Sequence, residues 1–154
     1  MGQYHCVYNI TKKEFISPHA LDCGAKLLEA GGLYTTGLML LLCNSNGRGG
    51  GDLYVEREYN KKTFKPKPLK GQALLNQQAI NLVAGRWAGD QIVVQGDYAK
   101  DGDPALVSGE EMKDYKNIST EVFQALMVND YFREESSQSK KLRPDMIVYT
   151  KVQS

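Results

Sequence analysis

The sequence predicts one α+β domain over residues 1–154, with a mostly antiparallel sheet and helices packed against it. The length of 154 residues matches one ordinary domain. Apolar residues make up 42% of the chain and charged residues 24%, which is typical of a globular protein and not of a disordered one. The strand-like segments are short and the helix-like segments between them differ in length, which favours α+β over a regular parallel α/β fold.

The chain is predicted to open with a β-hairpin. Residues 3–10 alternate in the strand period, so that Tyr4, Cys6 and Tyr8 face one way and the residues between them face the other. After a turn, residues 14–17 would form the returning strand.

Two helices are predicted next. Asp22 is placed to cap a short helix that ends at the paired glycines 31–32, since its carboxylate can accept free N–H groups and glycine suits the left-handed exit. Thr35 or Thr36 would cap a second helix through Cys43. This second helix is apolar on nearly all sides, so we expect it to be buried.

A loop and a connector follow. Residues 53–59 are expected to form a strand after the glycine-rich loop. Residues 60–70 are basic and contain Pro66 and Pro68, which favours an extended, solvated connector.

The second half of the chain is predicted to add two helices and two strands. A helix is expected over residues 71–84 and a buried strand over residues 91–95. The first of these helices should bury one stripe of residues: Leu75, Ala79, Leu82 and Val83.

Ser119 is expected to begin the best-defined helix, in which Ile118 and Phe123 would form a hydrophobic staple. Residues 133–141 are polar and predicted to be a mobile loop, and residues 146–152 would close the fold as a strand. The apolar stripe of the helix consists of Val122, Phe123, Leu126 and Met127.

Charge and cysteine content limit the classes of partner and compartment. With 19 Lys and Arg against 18 Asp and Glu, the net charge of +1 gives no overall attraction to nucleic acid or to an anionic membrane, so neither is an expected partner. The chain has three cysteines, a small and odd number that does not fit a disulfide scaffold and indicates a reducing compartment. The start of the sequence lacks a signal-peptide pattern, and the longest apolar run, residues 38–43, is too short to span a bilayer. We therefore predict a cytoplasmic location and leave the oligomeric state open.

The first candidate site is the glycine-rich stretch NGRGGGD. Its central residues are Arg48, Gly49, Gly50, Gly51 and Asp52. Backbone N–H groups without side chains can converge on an anion, and an arginine adds a bidentate contact to phosphate or carboxylate. The stretch lacks the Lys-Ser/Thr pair of a P-loop. The alternative interpretation is a flexible turn with a solvated arginine.

The second candidate site is the stretch GRWAGDQIVVQGDY, which contains Arg86, Trp87, Asp90 and Asp97. Trp87 beside Arg86 could stack on a planar ligand, and two carboxylates at the ends of a strand could bind a metal or act as acid and base. The alternative interpretation places the tryptophan in the core and both aspartates in turns.

These stretches, together with the opening MGQY, resemble a group of small uncharacterised bacterial proteins that share a similar start and similar Gly-rich and WAGD…GDY stretches. The resemblance covers most of residues 1–100 and is weak beyond them. It implies no activity. It does imply that Arg48, Asp52, Trp87, Asp90 and Asp97 belong together as a set.

A zinc site formed by His5, Cys6, His19 and Cys23 is not expected, because the spacing fits no standard zinc motif. No other metal and no cofactor is expected either. Lysines 61, 62, 65, 67 and 70 surround Phe64 in a mixture that binders of single-stranded nucleic acid also use, but a solvated connector is the preferred interpretation.

Three functions therefore remain open. The leading hypothesis is a non-enzymatic binding module for an anionic ligand such as a nucleotide, held between the two Gly-rich stretches. The first alternative is a small metal-assisted hydrolase that uses Asp52, Asp90 and Asp97. The second is an interaction or inhibitor protein that binds another protein.

Overall fold

The computed structural model of the chain describes residues 2–135. Within this range lie four strands, five α-helices and two 3-10 turns, at residues 19–21 and 27–29. The strands are β1 (His5–Asn9), β2 (Glu14–Ile16), β3 (Ile92–Gly96) and β4 (Lys116–Asn117). The helices are α1 (Gly32–Leu42), α2 (Gly71–Val83), α3 (Gly109–Met112), α4 (Ser119–Met127) and α5 (Asp130–Glu135).

The four strands form one sheet in the order β3-β1-β2-β4. The pairs β1–β2 and β1–β3 are antiparallel, and β2–β4 is parallel. The α+β prediction is thus confirmed, with a sheet that is mostly but not purely antiparallel. The opening hairpin is also confirmed, and its alternation places Val7 and Ile16 on the buried face.

Helix α4 lies at the centre of the core, as its stripe predicts. Val122, Phe123, Leu126 and Met127 are all at most 1% exposed. This helix packs on α1 and α2, and the sheet residues Val7 and Ile16 belong to the same hydrophobic cluster. Helix α1 comes close to α4 at Gly37, where a side-chain carbon would meet Val122 Cγ1 at 2.6 Å.

Helix α2 forms where predicted, and Ala79 and Val83 of its predicted stripe are buried, but the other two residues of the stripe are not. Its buried residues are Gln72, Asn76, Ala79, Ile80 and Val83. Leu75 and Leu82, which were expected in the core, are 40% and 52% exposed. Because α2 carries apolar residues around much of its circumference, its packing on α4 decides the buried face, and the periodicity of the sequence does not.

Three local predictions are wrong. Helix α1 begins at Gly32 with Gly31 at its N-cap, so the paired glycines open this helix and neither Thr35 nor Thr36 caps it. No helix begins at Asp22, because this residue adopts a left-handed conformation (φ 57°) that ends the 3-10 turn before it. Residues 53–59 do not form a strand: among residues 2–135 their only bridge is an isolated one from Tyr59 to Pro66, and the N–H of Val55 bonds to Oε1 of Gln77 on α2 at 2.9 Å.

Two further predictions are corrected in part. Strand β3 lies at an edge of the sheet, so it is only half-buried, and Val94 is exposed. Residues 133–135 belong to α5 and not to a loop. The rest of the predicted mobile loop, and the predicted strand at 146–152, lie outside the described residues.

Candidate functional site

In the glycine-rich loop, the carboxylate of Asp52 binds backbone N–H groups of the same loop. The side chain of Asn46 closes the base of the loop through two hydrogen bonds to the backbone of Leu53. Within the loop, Oδ2 of Asp52 accepts the N–H groups of Arg48 (2.9 Å) and Gly49 (3.0 Å). These bonds, from Arg48 first and then Gly49, hold the pKa of Asp52 below its usual value. The N–H groups that were expected to receive an external anion therefore already bind a carboxylate of the loop.

The base of this loop does lie beside the second candidate stretch. The N–H of Gly85 bonds to the carbonyl of Leu40 and the N–H of Trp87 to that of Leu41, both at 2.8 Å. A hollow of about 500 Å³ lies here, lined by residues 43–46 and by Asn81, Ala84, Gly85 and Ala88. Helices α1 and α2 both end at this hollow, and the carboxyl end of a helix carries partial negative charge. The hollow is therefore a poor place for an anion.

Arg86 and Trp87 face the interior of the protein instead of a ligand. Trp87 is fully buried, and its Nε1 donates to Oε1 of Glu14 at 3.0 Å. Arg86 donates to the same carboxylate through Nε (3.0 and 3.1 Å) and Nη2 (2.6 Å). The prediction that Trp87 stacks on a ligand is thus wrong, because a buried glutamate and the core hold its ring.

Glu14 is a buried, paired carboxylate that the sequence analysis did not identify. Burial by itself would raise its pKa, but the hydrogen bonds from Arg86 and Trp87 outweigh burial and keep the pKa of Glu14 below its usual value. The sequence indicated only that Glu14 lies two residues before Ile16 in a short predicted strand, and therefore on the same face.

The three aspartates proposed for hydrolysis are engaged at separate places. Asp90 accepts Nδ2 of Asn9 at 2.9 Å and forms an ion pair with Lys12; these two contacts, the lysine first, lower the pKa of Asp90. Oδ1 of Asp97 accepts the N–H of Tyr4 at 3.0 Å. Nowhere in residues 2–135 do three or more His, Cys, Asp or Glu side chains come together as metal ligands would. The structure therefore does not assemble the set required for a metal-assisted hydrolase.

Several predicted site residues line cavities: Gly51 and Asp52 line one of about 540 Å³, Arg86 lines a small one, and Asp97 lines a third, which combines two aromatic residues with three charged ones. This cavity of about 450 Å³, here called the sheet pocket, lies between the sheet face opposite the core and the segment 97–112. Tyr4, Cys6 and Tyr8 line it from the sheet side. The remaining lining residues are Gln95, Gly96, Asp97, Ala99, Lys100, Asp101, Leu106, Val107, Ser108, Gly109 and Met112.

A buried glutamine holds residues 97–112, the segment that covers the sheet pocket, in place. Gln95 of β3 donates from Nε2 to the carbonyl of Val107 (2.8 Å), and its Oε1 accepts the N–H of Val107 (2.7 Å). Both residues are buried, so this double hydrogen bond replaces two contacts that water would otherwise make. It fixes the distance between the sheet and the wall of the pocket.

The electrostatics of the sheet pocket do not favour an anion. Its charged lining residues are Asp97, Asp101 and Lys100, so carboxylates outnumber ammonium groups by two to one. Burial, and then the neighbouring Asp97, raise the pKa of the Cys6 thiol, which keeps it neutral at physiological pH. The alternation of β1 had already placed Tyr4, Cys6 and Tyr8 on one face, and this was the signal that could have located the pocket.

The predicted site residues are thus not brought together as one site. Arg48 through Asp52 form a self-contained loop, Arg86 and Trp87 bind Glu14, and Asp97 lines the sheet pocket. No helix within residues 2–135 has the length and apolar character needed to cross a membrane. Comparison of the chain with protein-family models, curated proteins and solved structures gives no match.

Proposed function

We propose that this protein is a binding module and that its site is the sheet pocket. The ligand we propose is a small amine with an apolar, ring-sized body. The observation that carries this proposal is the presence of aromatic rings and carboxylates around one open cavity of about 450 Å³, a volume in the usual range for small-molecule sites.

The lining chemistry supports an amine as the charged group. Tyr4 and Tyr8 offer aromatic rings, which attract cations through their electron-rich faces. Asp97 uses Oδ1 to accept the N–H of Tyr4, and among residues 2–135 no donor is bonded to its second oxygen. An ammonium group could therefore bind that oxygen without breaking a bond of the fold.

The rest of the lining supports an apolar body. Leu106, Val107 and Met112 lie on the covering segment, opposite Tyr8 and the neutral thiol of Cys6. Removing such a surface from water favours binding at roughly 25 cal/mol per Å² of buried apolar area. The expectation of an anionic ligand is replaced here because the N–H groups of the Gly-rich loop already bind Asp52 and because two helix carboxyl ends point at the hollow beside it.

Calorimetric titration of the full chain tests this proposal. The panel consists of tyramine and phenethylamine as amines, with inorganic phosphate and AMP as anions. We expect the amines to bind and the anions not to. Asp97→Asn removes the charge and retains a side-chain oxygen for Tyr4, so it should weaken amine binding about ten- to a hundredfold, as loss of one charge-assisted hydrogen bond predicts.

Glu110→Gln is the matched control, because it removes the same charge from an exposed side chain that does not line the pocket. It should leave amine binding nearly unchanged. Binding of AMP in preference to the amines, or equal effects of the two substitutions, would disprove the proposed site.

A second candidate function, protein interaction, is favoured by two exposed leucines on α2. This helix buries Gln72 and Asn76, which hydrogen-bond to each other at 3.0 Å, and leaves Leu75 and Leu82 exposed. The two leucines line a groove of about 490 Å³ between α2 and α4. Exposed leucines beside a groove between two helices suit an amphipathic helix of a partner protein.

Selection of amphipathic helical peptides from a displayed library tests this second candidate. Peptides that bind the full chain should lose binding to Leu82→Lys and keep it for Leu28→Lys, since Leu28 is fully exposed and distant in sequence from the groove. Selected peptides that ignore the Leu82 substitution would refute the groove as their site.

A further inference from the structure

The basic segment between the Gly-rich loop and α2 is an ordered hairpin, not a plain extended connector. Tyr59 and Pro66 form a β-bridge, and the N–H of Lys67 bonds to the carbonyl of Glu58 at 2.7 Å. At the turn, Oδ1 of Asn60 accepts two backbone N–H groups, from residues 62 and 63. We call residues 58–70 the lysine hairpin. It shares no lining residue with the sheet pocket.

The lysine hairpin exposes two aromatic rings. Every residue from 56 to 68 is exposed, including Tyr59 at 61% and Phe64 at 80%. Phe64 also has a φ of 57°, a conformation that is unfavourable for a bulky side chain. No packing in the core explains either ring, although the backbone around both is held by hydrogen bonds.

The lysine hairpin also concentrates positive charge. Five lysines lie in it against one acidic residue, Glu58, giving a net charge of +4. The whole chain carries +1, so the remainder carries −3. The near-neutral net charge of the chain is therefore the sum of a basic hairpin and an acidic remainder.

We propose that the lysine hairpin binds single-stranded nucleic acid, with Phe64 and Tyr59 stacking on bases and the lysines contacting phosphates. Stacking on exposed rings requires unpaired bases, while lysines supply a contact that does not depend on sequence. Lys65 and Lys67 are separated by one proline in an extended arm, about 6.6–6.8 Å apart along the chain, so both can follow one phosphate backbone. Pro66 and Pro68 stiffen this arm and reduce the entropy lost on binding.

The arrangement of the rings favours a nucleic acid over a membrane surface. Insertion into a bilayer interface needs apolar side chains gathered at one level. Here Phe64 lies at the turn, whereas Tyr59 lies on the first arm of the hairpin, opposite Pro66. Two exposed rings at different places on the hairpin can each stack on a separate base of an extended oligonucleotide.

Fluorescence anisotropy with the full chain tests this proposal, using a labelled 20-nucleotide oligo-dT, a duplex of the same length, and vesicles containing phosphatidylserine. We expect tighter binding to oligo-dT than to the duplex or the vesicles, and affinity that falls with salt. Phe64→Ala should weaken oligo-dT binding about five- to a hundredfold and leave the salt dependence unchanged. Lys65→Gln should lower the slope of log affinity against log salt by about 0.7.

Two controls come from other exposed parts of the chain. Leu28→Ala removes a fully exposed apolar side chain, and Lys113→Gln removes an exposed lysine; neither lies in the hairpin, and neither should change binding. All four altered residues are exposed, so thermal melting should show the variants folded. Absence of binding to oligo-dT, an equal affinity for the duplex, tighter binding to vesicles, or a Phe64→Ala variant that binds like wild type would each overturn the proposal.

Discussion

Replacing Glu14 by glutamine tests the most deeply buried ion pair within residues 2–135. The side chain of Glu14 is 6% exposed and accepts hydrogen bonds from Arg86 and Trp87. Glutamine has the same shape, but it removes the charge and points an NH2 group at one of the donors. Separating a buried pair costs about 3–5 kcal/mol. The side chain of Arg86 is 32% exposed and regains some hydration, so we expect a loss of about 2–4 kcal/mol.

The pH dependence of this loss gives a second test. The pKa of Glu14 is lower in the folded protein than in the unfolded chain. Its contribution to stability is therefore complete above the unfolded pKa of about 4.3 and disappears as the pH falls through the folded value. The difference in unfolding free energy between wild type and Glu14→Gln should be largest near neutral pH and should shrink below about pH 4.

The assay is urea unfolding followed by the fluorescence of Trp87, the only tryptophan and a fully buried one. The expected loss corresponds to a melting temperature lowered by about 4–16 °C for a chain of this size. Glu110→Gln is the control, because its exposed pair with Lys113 should contribute less than about 1 kcal/mol. Equal stability of wild type and Glu14→Gln at pH 7, or a loss that does not shrink in acid, would refute this reasoning.

Two further substitutions test the packing of the helices and the wall of the sheet pocket. Gly37→Ala should lower stability by about 1–3 kcal/mol in urea unfolding, because its new carbon would meet buried Val122 at 2.6 Å, whereas Gly109→Ala has open space and should not. Gln95→Ala leaves the backbone N–H and C=O of Val107 without partners. The rate of backbone amide hydrogen exchange in residues 105–112 should then rise. An unchanged rate would show that Gln95 does not hold this segment against the sheet.

Elements defined by local patterns could be predicted from the sequence. The alternation in β1 and the apolar stripe of α4 each belong to a short stretch, and the structure confirms both. Helix α2 was located within one residue for the same reason. What the sequence determined by itself is therefore the presence of these elements and the α+β class, since hydrophobic period and turn residues act over a few positions.

The candidate site could be predicted only in part. The sequence singled out Asp97 and placed Tyr4, Cys6 and Tyr8 on one face, but nothing local indicated that the segment 97–112 would cover them. The structure does not bring Arg48 and Trp87 together: Arg48 lies in an exposed loop held by its own Asp52, whereas Trp87 is buried against Glu14, a residue that no motif links to it.

Only the tertiary structure decided which charges are paired and which faces are buried. Glu14 meets Arg86 across 72 positions of the chain, and Gln95 reaches Val107 across 12 positions. The inward face of α2 likewise depends on α4, which follows it by some forty residues. The free energy of such contacts depends on two specific groups leaving water together and pairing with each other. The residues next to each group in the sequence do not indicate which distant group will be its partner.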